Sequence, residues 1–198
     1  MHGLINRAIE MFVRQTYGGK DWIALTKKLD LGFTEFEAML TYEDMVTMQV
    51  LEGLSDHLKK DQTDILEDIG TFLVSHPSVE SLRRLLRFSG RDFVEFLHSL
   101  EDLPARARLA LDDLNLPQFE LKEHNLDHFS VVVWDEMQGP VAFGHVLLGL
   151  LRALADDFGA LVLLEYKGGR EGTEVISVNL LHNSFTEGRR FELAVNAS

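Results

Sequence analysis

The sequence predicts an α+β protein in which a helical N-terminal lobe packs on a C-terminal lobe made of an antiparallel sheet and one long helix. Three observations predict it. Apolar residues recur at helical spacing through the first two-thirds of the chain, alternation with period two begins only after Pro117, and 198 residues suffice for one domain with a sizeable core. We place the helical lobe at about residues 1–115 and the sheet lobe at about 116–198 of a single domain.

Six apolar stripes mark the helices of the N-terminal lobe. The first runs through Ile9 and Phe12 and stops at Gly18-Gly19. The others are predicted over about 21–28, 46–58, 65–73, 79–86 and 93–103. Ser78 is expected to cap the fifth helix, and Gly90 is expected to end it.

The C-terminal lobe is predicted from short runs of alternating or β-branched residues. These runs cover residues 119–122, 129–134, 161–166, 174–181 and 190–195, which predicts four to five antiparallel strands. A long helix is expected from about Pro140, a favourable first helical residue, to Asp157. The segment Lys167-Gly168-Gly169-Arg170 is interpreted as a turn between strands.

Composition excludes several classes of function. The formal net charge of −13 repels phosphate backbones, so we expect no nucleic-acid partner. The absence of cysteine excludes disulfides, thiolate nucleophiles and iron–sulfur clusters. The longest apolar stretch, Val141 to Leu151, is interrupted by His145 and is too short to cross a bilayer, and the N-terminus lacks the features of a signal peptide. We therefore expect a cytoplasmic protein without membrane insertion.

Motifs of common enzymes are missing from the sequence. It contains no glycine-rich phosphate loop before a helix, no Gly-x-Ser-x-Gly elbow and no metalloprotease helix. The prediction is a protein that is not an enzyme.

Four segments along the chain carry a family resemblance. They are the opening residues Met1 to Ile9, the segment Phe96 to Arg108, the link Leu114 to Phe119, and the helix around Leu147-Leu148-Gly149-Leu150-Leu151. In this order they resemble the heme–nitric-oxide-binding (H-NOX) sensor family. The resemblance implies a stand-alone H-NOX-like sensor or signalling domain with heme as its cofactor. It also implies a separate signalling partner, either a histidine kinase or a cyclic-dinucleotide enzyme.

The positions that hold heme in that family carry different residues here. The resemblance puts Pro104, which has no donor atom, where the family has its iron-ligating histidine. It puts Trp134, Glu136 and Gln138 on the Tyr-x-Ser-x-Arg motif that binds the heme propionates. An arginine clamp contributes roughly 1.5–3 kcal/mol per charge-assisted bond, and glutamine in its place removes the charge. Glutamate in place of the serine adds a negative charge beside the propionates, so attraction becomes repulsion. Heme in the usual mode is therefore not expected. The spacing of Tyr166 and Arg170 matches the motif, but the pair follows the glycine-containing helix, so we interpret it as part of a hairpin.

Two alternatives stay open at this stage. A substitute axial ligand, His145 first and His98 second, would make the chain a true heme-binding gas sensor. Another apolar small molecule could instead bind in the same cavity. For His145 we favour a core histidine that is hydrogen-bonded to a backbone carbonyl. His124 and His128 are separated by three residues, but they lie at a predicted turn and are not expected to bind zinc.

A basic cluster stands out in this acidic chain. It consists of Arg83, Arg84, Arg87 and Arg91. The default interpretation is a solvated helix face, and the alternative is a docking patch for an acidic partner or an anionic ligand.

Overall fold

The computed structural model describes residues 1–136, 138–170 and 172–182. The strand predicted over residues 190–195 lies outside this part of the chain. Within it, the mixed helix-and-sheet architecture is confirmed, with a four-stranded antiparallel sheet.

Seven helices precede the sheet; the first six follow the apolar stripes in the sequence, and the seventh was not predicted as a separate helix. They are α1 (Gly3–Thr16), α2 (Gly19–Lys28), α3 (Asp44–Leu58), α4 (Gln62–Ser75), α5 (Glu80–Arg87), α6 (Phe93–Ser99) and α7 (Leu103–Ala110). The predicted cap at Ser78 is wrong, because Ser78 lies inside a 3₁₀ turn, Pro77–Val79, and donates its backbone N–H to the ring of His76. A second 3₁₀ turn, Leu100–Asp102, separates α6 from α7, so the stripe over 93–103 is not one helix.

The sheet consists of β1 (Gln118–Asn125), β2 (His128–Trp134), β3 (Leu161–Arg170) and β4 (Thr173–His182) in the order β1-β2-β4-β3. The turn predicted at Lys167–Arg170 is wrong, since β3 continues to Arg170. Its register shifts between Tyr166 and Gly169, and Gly168 adopts φ +78°. Glycine tolerates that positive φ without strain, so the strand accommodates an irregularity that resembles a turn in the sequence.

The long helix, α8, covers Phe143–Phe158 and begins three residues later than predicted. Pro140 and Val141 form a bend before it. The carboxylate of Glu174, on β4, accepts the backbone N–H of Gly144 at 2.8 Å. This bond satisfies a donor of the first helical turn, and a negative charge there also complements the helix dipole. The start of α8 is thus defined by a residue of the sheet.

The apolar core divides into two clusters that meet along α8. The first joins α4, α5 and α6 to the sheet and to most of α8, and the second joins α1, α2, α3 and α4. Phe143 packs against both clusters. Helices α5 and α6 therefore contribute to the core beneath the sheet, although the sequence analysis placed them in the helical lobe that ends at about residue 115.

The packing of α4 on α8 depends on two glycines. A Cβ atom on Gly70 would lie 1.9 Å from the carbonyl oxygen of Val146, and one on Gly149 would lie 1.9 Å from that of Glu67. No other residue type allows the two backbones to approach this closely. Among the described residues, no helix is long and apolar enough to cross a membrane.

Candidate functional site

A cleft of about 290 Å³ opens between the N-terminal segment, the link from α7 to β1, and the end of β2. This volume is at the lower edge of the range for small-ligand sites. The lining residues that matter for its chemistry are Met1, His2, Asp44, Arg108, Asp113, Trp134, Asp135, Glu136 and Phe143. Two of the sequence-predicted positions, Trp134 and Glu136, thus lie at the same site.

The end of β2 turns sharply beside the cleft. Trp134 is the last residue of the strand, and its side chain is half exposed. Asp135 donates its backbone N–H to the carbonyl of Gly172, and its carboxylate accepts the N–H of Gly139 at 2.9 Å. Gln138 has φ +45° and is exposed, and it lines a neighbouring shallow groove instead of the cleft. The loop therefore presents Glu136 and not Gln138 to the cleft.

The charges around the cleft are mostly negative. Four carboxylates line it, on Asp44, Asp113, Asp135 and Glu136, against the guanidinium of Arg108 and the ammonium of Met1. That ammonium lies 2.7 Å from the carboxylate of Asp44. An anionic ligand would meet net repulsion here.

His2 was not identified from the sequence, yet it is the most deeply buried polar residue of the lining. Its Nδ1 accepts the backbone N–H of Leu4 at 3.1 Å, so it caps α1. A neutral ring that accepts at Nδ1 carries its proton on Nε2, which therefore donates to Asp113 at 3.3 Å. One histidine thus links α1 to the segment that leads into β1. The usual capping signal would not reveal it, because that signal rests on Ser, Thr, Asp and Asn.

Pro104 is buried in the first turn of α7, where a proline needs no backbone hydrogen bond. It is not among the residues that line the cleft. Its ring carries only carbon, so this position offers no atom that could coordinate iron.

His145 lies on the side of α8 that faces α4. Its Nδ1 is 3.3 Å from the carboxylate of Glu67, and its ring stacks on Tyr166 with centroids 4.1 Å apart. Glu67 also accepts a hydrogen bond from Arg152 at 3.2 Å. The prediction that His145 is hydrogen-bonded to a backbone carbonyl is wrong, because its partner is the carboxylate of Glu67. The ring is nearly buried and does not line the cleft.

Tyr166 connects this histidine to the start of α8. Its hydroxyl donates to Glu174 at 2.9 Å, and the same carboxylate holds the N–H of Gly144. Burial first, and then the hydrogen bond to Glu174, raises the pKa of Tyr166 to about 12. The phenol therefore stays protonated at every physiological pH.

The remaining histidines do not converge on a site. His98 is exposed and lies 3.3 Å from Glu123. His124 and His128 lie on the ends of β1 and β2, with ring centroids 4.9 Å apart, and each is close to a serine hydroxyl. In the described part of the chain, no group of three His, Asp or Glu residues could hold a metal ion.

The four arginines of the basic cluster do not share one exposed face. Arg83 forms an ion pair with Asp157, which is almost fully buried, and the guanidinium of Arg87 lies 3.7 Å from the ring centroid of Phe158. Both side chains therefore join α5 to the end of α8. Arg84 and Arg91 form i,i+4 ion pairs with Glu80 and Glu95, and hydrogen bonds from Arg91 lower the pKa of Glu95 to about 2.

Comparison with known proteins places this architecture in a class. A structure of a mutant H-NOX protein from S. oneidensis in the Fe(II) ligation state superposes with a TM-score of 0.78 and 15% identity over 93% of this chain and 98% of that chain. The Fe(II) unliganded H-NOX protein from K. algicida superposes with a TM-score of 0.76 and 19% identity over 94% of this chain and 100% of that one. The fold is that of the H-NOX sensor domains.

The family profile described as Haem-NO-binding matches residues 2–166, and the chain belongs to this family. Curated relatives are soluble guanylate cyclase 89Db of Drosophila melanogaster, 21% identical over 84% of this chain, and soluble guanylate cyclase gcy-31 of Caenorhabditis elegans, 22% identical over 79%. These matches cover 24% and 22% of the relatives' own length, so the chain spans about a quarter of them. H-NOX domains are sensor domains and act with partner signalling proteins.

Proposed function

We propose that this chain is an H-NOX sensor or signalling domain that works without heme bound in the manner of its family. One observation carries the proposal. Pro104, the residue that the family resemblance puts at the iron-ligating position, is buried in the first turn of α7 and has no donor atom. A chain without that ligand lacks the bond through which a bound gas would be sensed.

The cleft chemistry supports the same proposal. Of the residues that the resemblance puts on the propionate-binding motif, Glu136 faces the cleft and Gln138 brings no positive charge. Three further carboxylates line the cleft. A dianionic cofactor would exchange favourable hydration for like-charge repulsion. The residues present do not fit heme, and no step of the proposed function passes through it.

The two alternatives gain less support from the contacts. His145 as a substitute axial ligand would have to leave Glu67 and Tyr166, between which its ring is held. An apolar small molecule in the cleft would bury several charged groups, each of which costs free energy to desolvate. No contact in the described part of the chain favours the substitute axial ligand or the apolar small molecule over the proposed function.

A heme titration with a restored ligand tests the proposal. Purified protein is mixed with hemin, passed through gel filtration, and its Soret band is recorded. We expect no retained band in the wild type and a retained, histidine-type band in the triple variant Pro104→His/Glu136→Ser/Gln138→Arg. Stoichiometric heme in the wild type with a histidine-type spectrum would overturn the proposal. Loss of that heme in His145→Ala would assign it to the substitute ligand.

A partner that binds the basic cluster remains part of the proposal. The test uses Arg84 and Arg91, because the charges of Arg83 and Arg87 are engaged inside the fold. The double variant Arg84→Glu/Arg91→Glu should bind an acidic partner, such as a kinase or a cyclic-dinucleotide enzyme, more weakly than the wild type does. Substitution of the exposed Arg91 should change stability by under about 0.5 kcal/mol, whereas Arg84 is half-buried, so the Tm of the double variant is measured as a control.

A further inference from the structure

Three of the six methionines of the chain lie within ten residues of one another, and all three are exposed. Together with Leu40 they form what we call the methionine surface: Met39, Leu40, Met45 and Met48, each between 41% and 64% exposed. Met45 and Met48 are three residues apart on α3 and so share one face of that helix. Flexible, polarisable thioethers suit surfaces that bind apolar side chains of a partner.

The backbone of this surface is held firmly against the start of the chain. The carbonyl of Leu40 accepts the N–H of Gly3 at 2.6 Å, and the N–H of Tyr42 donates to the carbonyl of Met1 at 2.9 Å. The hydroxyl of Tyr42 accepts the N–H of Glu37 at 2.8 Å. A preorganised backbone reduces the entropy lost on binding, so exposed apolar side chains here are suited to contact.

The surface also borders the cleft. Thr41 and Asp44, which lie between its two halves in sequence, are both lining residues of the cleft. A partner seated on the methionine surface would therefore touch the rim of the candidate site, where a change in the cleft would be transmitted by direct contact.

The segment that carries the surface is acidic, since residues 32–56 contain six Asp and Glu residues and no Lys, Arg or His. Three of these carboxylates, on Glu35, Asp44 and Asp56, pair with cations from other parts of the chain, and the other three are those of Glu37, Glu43 and Glu52. Glu37, Glu43 and Glu52 are exposed, and Glu52 continues the face of Met45 and Met48 one turn further along α3. An apolar surface with an acidic border is complementary to a segment that is apolar on one face and basic on the other.

We propose that the methionine surface is the docking site for a basic amphipathic helix of a signalling partner. The inference rests on the proposed function only in that the chain acts through a partner, and it does not depend on whether heme binds. Apolar side chains of the partner helix pack between Met39, Leu40, Met45 and Met48, while its Lys or Arg residues face Glu37, Glu43 and Glu52.

A peptide-binding experiment with the full chain tests this. The probe is a fluorescein-labelled amphipathic Lys/Leu peptide of about four helical turns. Its control is a peptide of the same composition in shuffled order, which keeps the charge and loses the apolar face. Fluorescence anisotropy should show that shuffling the probe weakens binding by at least about tenfold, because buried apolar area is lost. Isotope-labelled methionine-methyl NMR should show shifts for Met39, Met45 and Met48 but not for Met11, which is partly buried on α1.

Matched variants distinguish the surface from general attraction to an acidic protein. Met45→Gln/Met48→Gln should lower the affinity for the probe peptide by about tenfold or more. The control Leu109→Gln/Leu126→Gln, at two leucines that are each 90% exposed, should leave binding unchanged. Glu43→Gln/Glu52→Gln should weaken binding at low salt and converge with the wild type at high salt. Circular dichroism melting confirms that each variant is folded.

Three outcomes would overturn the inference. Equal binding of the ordered and shuffled peptides would mean that charge alone is responsible. Unchanged affinity in a folded Met45→Gln/Met48→Gln protein would exclude the methionine surface. Concentration-dependent association without peptide, abolished by that variant, would assign the surface to a second copy of this chain. None of these results changes the heme titration, so a failure here is distinguishable from a failure of the proposed function.

Discussion

The seam between α4 and α8 and the cleft beside β2 meet along the same helix, but different kinds of contact build them. At the seam, Gly70 and Gly149 bring two backbones together so closely that an added methyl group would collide with a carbonyl oxygen. At the cleft, Trp134 at the end of β2 and Glu136 in the turn after it are both exposed. The shape of the fold thus depends on positions that tolerate no additional atom, whereas we expect these exposed rim residues to be exchangeable without disturbing it. The family architecture should therefore tolerate changes at the rim of the cleft better than changes at the seam.

The largest effect is expected at the seam. Gly149→Ala should lower the free energy of unfolding by about 1–3 kcal/mol, because its Cβ would lie 1.9 Å from the carbonyl oxygen of Glu67. Alanine favours a helix over glycine by roughly 1 kcal/mol, so a loss cannot come from helix propensity. Thermal and urea denaturation measure it.

The matched control is Gly53→Ala on α3. Its Cβ would meet only flexible methyl groups of Leu25 and Leu29, at 3.0 Å, so we expect little net change. Equal destabilisation by the two substitutions would remove the distinction between the seam and an ordinary helix interior.

A smaller effect is expected at His145, which borders the seam. His145→Ala removes the contacts with Glu67 and Tyr166 and should cost roughly 1–2 kcal/mol, or several degrees in Tm. His98→Ala, at an exposed ring, serves as the control and should change Tm little. A His145→Ala protein with unchanged Tm but with lost heme absorbance would support a ligand role instead.

The link from β3 to α8 should appear in the pH dependence of stability. The pKa of Tyr166 is raised to about 12, above its usual value near 10, so folding favours the neutral phenol. The stabilisation is complete below about pH 10 and is lost as the pH rises through about 12. Denaturation series should show that the advantage of the wild type over Tyr166→Phe shrinks across this window.

Absorbance titration provides an independent reading of the same group. The titration should contain a phenol transition near pH 12, and that transition should vanish in Tyr166→Phe. A single transition near the usual pKa in the wild type would contradict the prediction.

The smallest effect is expected at the rim of the cleft. Glu136→Gln should change the free energy of unfolding by less than about 0.5 kcal/mol, because the side chain is exposed and packs on little. A loss comparable to that of Gly149→Ala would show that the rim, too, is part of what holds the fold.

The sequence alone predicted those features that depend on local pattern. Apolar periodicity located α1 to α6, α8 and four strands because burial of one face repeats with the period of the element. It did not predict α7 as a separate helix. The start of α8 was predicted too early because its cap comes from Glu174, thirty residues away. The end of β3 was missed because glycines that usually mark a turn here allow a register shift.

The site was predicted only in part, for a similar reason. Trp134 and Glu136 follow from alignment with a family motif, and they do lie at the cleft. His2 and Asp113, which are 111 residues apart, have no common signal in the sequence. The carboxylate beside His145 was also missed, since Glu67 lies 78 residues earlier and meets it only because two glycines let α4 and α8 approach.

The division of the core along α8 has a consequence for how the chain can be cut. Residues 111–117 connect the helices to β1 without regular structure, but side chains from both sides of this link share one apolar cluster. A protease nick there should leave two fragments that migrate together and separate only in denaturant. Expressed as separate polypeptides, the same fragments should reassemble, so the link offers a place to split the protein and use its reassembly as a reporter.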